Sequence, residues 1–357
     1  MDSKTNWQNY IAAMQKAIMV LRFLIACWLI STAGIVGLSA QTAELPNIYD
    51  FLTQEEGQKL TLETDLTTLM SDRRTKEYIP GLITLEDGQS FPLKIRPRGK
   101  YRRKICEIPP LKLKFSNKML TEAGFDTLNE IKLVIPCMDS NQGDNLIVKE
   151  YLVYRMFERL SSASCRARLV RMTIKDNHVE RTKRQVICLL LEDKEQVCKR
   201  LNAYEIEQYG IHPDSLHMNQ AALVAMFQYM IGNTDWDISM MRNVYLLKGD
   251  AASKTLVVPY DFDFSGFVSA PYASPSSESG LRTVRDRFLM ANGIDESAMH
   301  RAVQVLDAAK KDLMDLCKNK YLSKDNSIQL MEYLDSFYRN IDPSGNVPTV
   351  MPMSIDE

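Results

Sequence analysis

The chain has 357 residues, with 44 Lys and Arg against 45 Asp and Glu, a formal net charge of −1. Apolar residues make up 45% and charged residues 25%, the mix of a folded globular protein. That balance excludes a disordered chain, a collagen-like repeat and a strongly basic nucleic-acid binder, and the length suits one large domain or two ordinary ones.

An export signature comes first. Residues 23–40 carry no charge, Lys16 and Arg22 precede them, and Gly37, Ser39 and Ala40 close the run. This basic, apolar, small-residue order predicts a secretory signal peptide over 1–40. A retained anchor is the rival reading, since the run is just long enough to span a bilayer. Either way the remainder is expected outside the cytoplasm, in the periplasm, on the cell surface or in the medium. No later segment is long and apolar enough to span, so membrane contact is expected only through this segment. Cys27 belongs to it, which leaves six cysteines, no CxxC and four scattered His; a structural zinc site is not expected. Cys106 and Cys137 flank the run PPLKLKF and each ends a short β-type segment. An exported chain permits their pairing, and a disulfide between them is expected.

Residues 41–56 read as a linker. From 57 the texture is β: 60–69 alternates loosely, and 81–99 holds two strand-like runs around Asp87-Gly88, a strong hairpin signal. In 109–115, Leu111, Leu113 and Phe115 alternate with Lys112 and Lys114, and 129–137 is another short strand. The first third therefore predicts an antiparallel sheet. Ile147, Tyr151, Tyr154 and Phe157 recur at three- and four-residue steps, which predicts a helix over 145–160. Residues 167–174 and 184–193 read as strands, the second a nearly continuous apolar run suited to a central position. Beyond 195 the texture is helical, at 218–231, 296–317 and 326–340. The Pro-rich tail 341–357 is expected to be disordered.

The stretch 218–268 carries the chemistry. An apolar helix ends at Ile231, then an irregular segment holds Asp235, Asp237 and Asn243, then a hairpin leads into Asp261-Phe262-Asp263. Phosphoryl transfer needs a carboxylate to orient or deprotonate the acceptor, and oxygen ligands for the Mg²⁺ that bridges the phosphates. An Asp and an Asn on one loop, with another Asp at a neighbouring strand end, meet that need. They follow the layout of a kinase catalytic loop and its DFG segment.

With these residues in view, the chain resembles the spore coat protein H (CotH) kinase-like family, in its secreted Bacteroidetes-type form. The resemblance spans about 60–290. It rests on Arg98-Gly99 after a hairpin, PPLKLKF, the helix carrying Lys149-Glu150, FQYMIGNTDW (227–236), Asn243 and VPYDFDFSG (258–266). It implies an α+β, divergent protein-kinase-like fold over 57–340 with two lobes, a β-rich N-terminal part and a helical C-terminal part; the switch from strand to helix texture puts their meeting near Glu192-Asp193. It also implies ATP as phosphate donor, Mg²⁺ or Mn²⁺, and a protein hydroxyl as acceptor, with no nucleic-acid partner. By the same resemblance Asp235 is the catalytic carboxylate, and Asn243 and Asp261 are metal ligands, with Asp263 as a second acidic ligand.

Spacing leaves Asp237 open as the base instead. It lies six residues before Asn243, nearer the kinase pattern than the eight of Asp235. No GxGxxG loop occurs; Arg98-Gly99 with Lys100, Arg102, Arg103 and Lys104 stands in its place, and a basic turn can hold phosphates by charge and backbone N–H. The phosphate-anchoring lysine is expected to be Lys112 or Lys114, paired with Glu150, with Lys132 a further candidate. Residues 267–288 match an activation segment in position. There Arg282, Arg285 and Arg287 either grip a phosphate or acidic peptide, or begin a charged helix. The alternative to an enzyme is a catalytically inactive kinase-fold binding module of the cell envelope.

Overall fold

A computed structural model describes residues 45–179, 181–341 and 348–351. The expected signal peptide therefore lies outside the described residues. Among those described, no helix is long and apolar enough to cross a membrane.

The described chain runs α1 (Ile48–Leu52), β1 (Gln58–Thr64), α2 (Leu66–Ser71), β2 (Ile79–Leu85), β3 (Ser90–Pro97), α3 (Arg102–Ile105), β4 (Leu111–Phe115), α4 (Asn117–Glu122) and β5 (Glu130–Val134). It continues through α5 (Asn141–Leu160), β6 (Ala167–Asp176), β7 (Arg181–Glu192), α6 (Lys194–Arg200), β8 (Tyr204–Glu205), α7 (Met218–Met230), β9 (Val244–Lys248) and β10 (Leu256–Pro259). Last come β11 (Arg287–Phe288), α8 (Glu296–Leu316), α9 (Lys324–Asn340) and β12 (Val350–Met351). The fold is α+β.

Seven strands close a barrel in the order β1-β2-β3-β4-β5-β7-β6. Every neighbouring pair is antiparallel except the closing pair, β1 with β6, which is parallel. The expected antiparallel sheet is thus extended by two strands from beyond α5 and sealed on itself. Period-two alternation fills the interior: Leu60 and Leu62, Leu93 and Ile95, Leu111 and Leu113, and Ile131 and Leu133 all point inward. The apolar run of β7 has a double duty. Cys188 and Leu190 face the barrel core, while Leu189 and Leu191 face a second core built with α5 and the C-terminal helices. At Asp87-Gly88 the expected hairpin forms, Gly88 taking φ +92° and Asp87 Oδ1 accepting from the Gln89 N–H at 2.9 Å.

Three expectations change. Residues 46–56 are not a linker, because the compact unit begins at Pro46 and Ile48, Tyr49 and Leu52 of α1 are fully buried against the barrel. The loosely alternating run 60–69 breaks at Asp65, whose carboxylate caps α2 by accepting from the Thr68 N–H at 2.8 Å. Within the tail, Val350–Met351 pairs with Arg287–Phe288, while 342–347 and 352–357 lie outside the described residues.

Candidate functional site

Helix α7 is buried along nearly its whole length, and just past its end Gly232, with a φ of +65°, reverses the chain. A Cβ there would lie 2.2 Å from Tyr333 Oη, so the position also demands a missing side chain. Asn233, buried, donates to Gln228 Oε1 at 3.0 Å and accepts from the Asp235 N–H at 2.9 Å. The loop is thereby pinned to its helix, and Asp235 emerges at a set height. Asn243 Nδ2 donates to the Asp235 backbone oxygen at 2.6 Å and to its Oδ2 at 2.9 Å. Burial, with Asp261 adding to it, raises the Asp235 carboxyl above the usual range. Asp237 plays a local part instead, its Oδ1 accepting from the Met240 N–H at 2.6 Å and closing a turn. Trp236 is buried as a packed wall.

Tyr260 donates its N–H to the Asn243 carbonyl at 3.0 Å, one step past the β9–β10 register. Asp261 is the next residue, which puts its Cα within about 9 Å of Asn243 Cα, from one strand spacing plus one Cα step. Asn243 and Asp261 both hold left-handed backbones, with φ of +53° and +64°. Such a conformation costs a non-glycine residue about 1–3 kcal/mol and marks sites where geometry is imposed.

Opposite them stands Arg102. Its guanidinium meets Glu150 at 2.9 Å, Asp261 at 3.1 Å and, through Nε, Asp263 at 3.1 Å. Arg102, Glu150 and Asp263 are 8%, 1% and 4% exposed. One guanidinium thus faces three carboxyl groups, with Tyr272 Oη donating to Asp263 Oδ2 at 3.1 Å. Burial, reinforced by Asp261 and Glu150, pushes Asp263 up to about 8 against the pull of Arg102. Burial also raises Glu150. The turn bearing Arg102 is clamped at both ends. Gly99 turns it at φ +84°, the Arg98 N–H donates to the Pro110 carbonyl at 2.8 Å, and a Cys106–Cys137 disulfide ties it to the segment between β5 and α5. The expected pairing of those cysteines is present.

The phosphate-anchor expectation needs correcting. Alternation turns Leu111, Leu113 and Phe115 into the barrel, so Lys112 and Lys114 project outward, where both bind Glu130 and Lys112 also reaches Asp193 at 3.7 Å. Neither pairs with Glu150. Lys132 donates to Tyr245 Oη at 2.7 Å and faces Asp193 at 3.4 Å. Arg102 takes the Glu150 position that a lysine was expected to fill. It sat unmarked among Lys100, Arg103 and Lys104, and only its burial separates it from them. Asp263 does not stand free as a metal ligand either, being held by Arg102 and Tyr272. Arg287, read as either a phosphate grip or part of a charged helix start, does neither: it lies in β11, fully buried, and donates to the carbonyls of Met230 and Tyr333 at 3.0 and 2.6 Å.

The site opens on one cleft of about 770 Å³. Arg98, Lys100, Arg102, Asp235, Asn243 and Asp261 all line it. Among the described residues no group of three or more His, Cys, Asp or Glu is placed to hold a metal. The site offers two oxygens instead: Asn243 Oδ1, left over when its Nδ2 donates to Asp235, and Asp261 Oδ2, left over when Oδ1 meets Arg102. That pair fits Mg²⁺, which is commonly held by one or two protein oxygens plus substrate phosphates and water.

No protein-family model matches the chain, and no curated protein is significantly similar to it. Two solved structures that align with it are kinases. The proinflammatory kinase CtkA of Helicobacter pylori aligns with a TM-score of 0.36 and 10% identity, over 63% of this chain and 89% of that one. The Rio2 kinase–ADP/Mg²⁺–phosphoaspartate complex from Chaetomium thermophilum aligns with a TM-score of 0.23 and 12% identity, over 73% of this chain and 63% of that one. Scores this low carry no weight beside the site geometry.

Proposed function

We propose that this protein is an exported, kinase-like phosphotransferase of the spore coat protein H type, with a two-lobed fold, moving the terminal phosphoryl group of Mg-ATP to a hydroxyl of a protein acceptor. One observation carries the reading: a buried cation, Arg102, joins a mid-helix Glu150 to Asp261 at the mouth of a hairpin. Kinase chemistry requires a phosphate-anchoring cation paired with a helical Glu, and a metal-binding Asp within reach of the same phosphates. Asn243 and Asp261 would hold the ion, and bound Mg²⁺ would neutralise charge developing on the transferred group. Arg102, with Arg98 and Lys100 beside it, would grip the phosphates. Asp235, its carboxyl raised by burial and steadied by Asn243, would take the acceptor proton. A disulfide in the folded unit supports export, since such bonds persist in oxidising compartments.

A silent binding module is the second reading. Arg102 favours it by engaging all three acids at once. A thermal scan of wild type and Asp261→Ala, with and without Mg-ATP, separates the two. Asp261 is half exposed, and its removal leaves Arg102 paired to Glu150 and Asp263, so the apo variant should lose little. Wild type should gain about 2.7 kcal/mol at a hundredfold excess over Kd, and the variant close to nothing. A wild type that does not shift at millimolar Mg-ATP would sink the enzyme reading. Transfer of labelled phosphate to a hydroxyl acceptor would then distinguish binding from catalysis.

A further inference from the structure

Three aromatic rings stand together on one wall of the cleft, and phosphate chemistry uses none of them. Tyr101 lies 5.4 Å from Phe264 and 6.0 Å from Tyr272, and Phe264 lies 5.8 Å from Tyr272, centroid to centroid. All three line the cleft, and Tyr101 is 47% exposed. Single exposed rings are ordinary; a cluster on a cleft wall calls for a ligand. Each ring is set by the Arg102 hub. Tyr101 precedes Arg102, Phe264 follows Asp263, and Tyr272 donates to Asp263. Rings held in advance lose little freedom on binding. Toward the Glu192-Asp193 connection the space is filled instead. There Lys132 meets Tyr245 Oη at 2.7 Å, and buried Tyr245 stacks on Tyr260 at 4.3 Å.

We propose that the Tyr101–Phe264–Tyr272 wall seats the base of the nucleotide, with the phosphates reaching from there to Arg102 and Asp261. This rests on the phosphotransfer reading and adds where the base lies. A nucleoside triphosphate pairs a flat π face with an anionic chain, and the wall sets the exposed Tyr101 ring and the half-buried Phe264 and Tyr272 rings beside Arg98, Lys100 and Arg102.

The test is calorimetric titration of the full chain with Mg-ATP and with Mg-tripolyphosphate, for wild type, Tyr101→Leu and Tyr101→Phe. Wild type should bind both, ATP about tenfold or more tightly, which is the scale of base stacking on an aromatic ring. Tyr101→Leu should lose most of that advantage with tripolyphosphate binding unchanged, and Tyr101→Phe should keep it. ATP binding undiminished in Tyr101→Leu would overturn the seat and leave the phosphotransfer reading standing. Equal weakening toward both ligands would also overturn it, making Tyr101 a latch for the Arg102 turn. If wild type binds neither ligand, both fall. A second measurement needs no variant: Mg-ATP, but not Mg-tripolyphosphate, should shield Tyr101 from nitration by tetranitromethane. Equal nitration with and without ATP would count against the seat.

Discussion

At the residue scale the centre of the molecule is a charge imbalance. Arg102 faces Glu150, Asp261 and Asp263, and two of those acids are buried. Asp263, raised to about 8 by burial and its acidic neighbours, binds a proton in the folded state that the unfolded chain releases near 4. The folded state therefore holds the extra proton between about pH 4 and 8, and stability falls as pH rises through that window. Asp263→Asn should flatten the slope, because its amide oxygen can still accept from Arg102 and Tyr272. Denaturant midpoints of both proteins at pH 5 and pH 8 check this; parallel slopes would refute it. Arg102→Ala leaves Glu150 and Asp263 buried without their cation and should cost about 3–5 kcal/mol. That an Asp of the 235–237 pair shares a site with Asn243 was legible because these residues lie on one short loop; which Asp it is was decided by the Asn243 hydrogen bonds to Asp235. Arg102 was not legible, since a run of basic residues looks uniform until burial selects one of them.

At the element scale, α5 and the turn around α3 must be held together for Glu150 to meet its cation. The Cys106–Cys137 bond does this from outside the cleft, closing a separation of 31 residues. In the chain-entropy form such a closure contributes about 3–4 kcal/mol. Cys106→Ser with Cys137→Ser should lower unfolding stability by that amount, and wild type under strong reductant should match it. A midpoint that does not move would show that packing alone holds the turn. Gly232 is the second element-level constraint, joining α7 to the Asp235 loop. Gly232→Ala adds left-handed strain of about 1–2 kcal/mol, and the new Cβ would collide with Tyr333 Oη, 2.2 Å away. A thermal midpoint within error of wild type would contradict that account.

At the scale of the whole molecule, the compact unit from Pro46 onward has two hydrophobic clusters that share β6 and β7, with α5 packed wholly into one of them. Shared strands couple cores, so the unit should unfold in one transition. Trp236, buried next to Asp235, is the sole tryptophan after residue 45. Its fluorescence and the far-ultraviolet dichroism of the chain from 46 onward should therefore give coincident denaturation curves. Separate midpoints would mean that the site and the barrel come apart independently.

Local order is what the sequence by itself determined. Period-two alternation marked β3 and β4, helical periodicity marked α5, and Asp87-Gly88 marked a turn, because each depends on backbone geometry over a few residues. The helix, Asp-rich loop, hairpin and acidic strand end were readable for the same reason, and so was the disulfide, whose partners bracket a single strand. Only the tertiary structure decided what is distant in the chain. Barrel closure pairs Leu60 with Met172, the hub joins Arg102 to Glu150 and Asp261, and α1 is buried where a linker was expected. Such contacts have no period or spacing to betray them. They exist because buried charge must find opposite charge, and unpaired strand edges must find a partner, wherever in the chain these happen to lie.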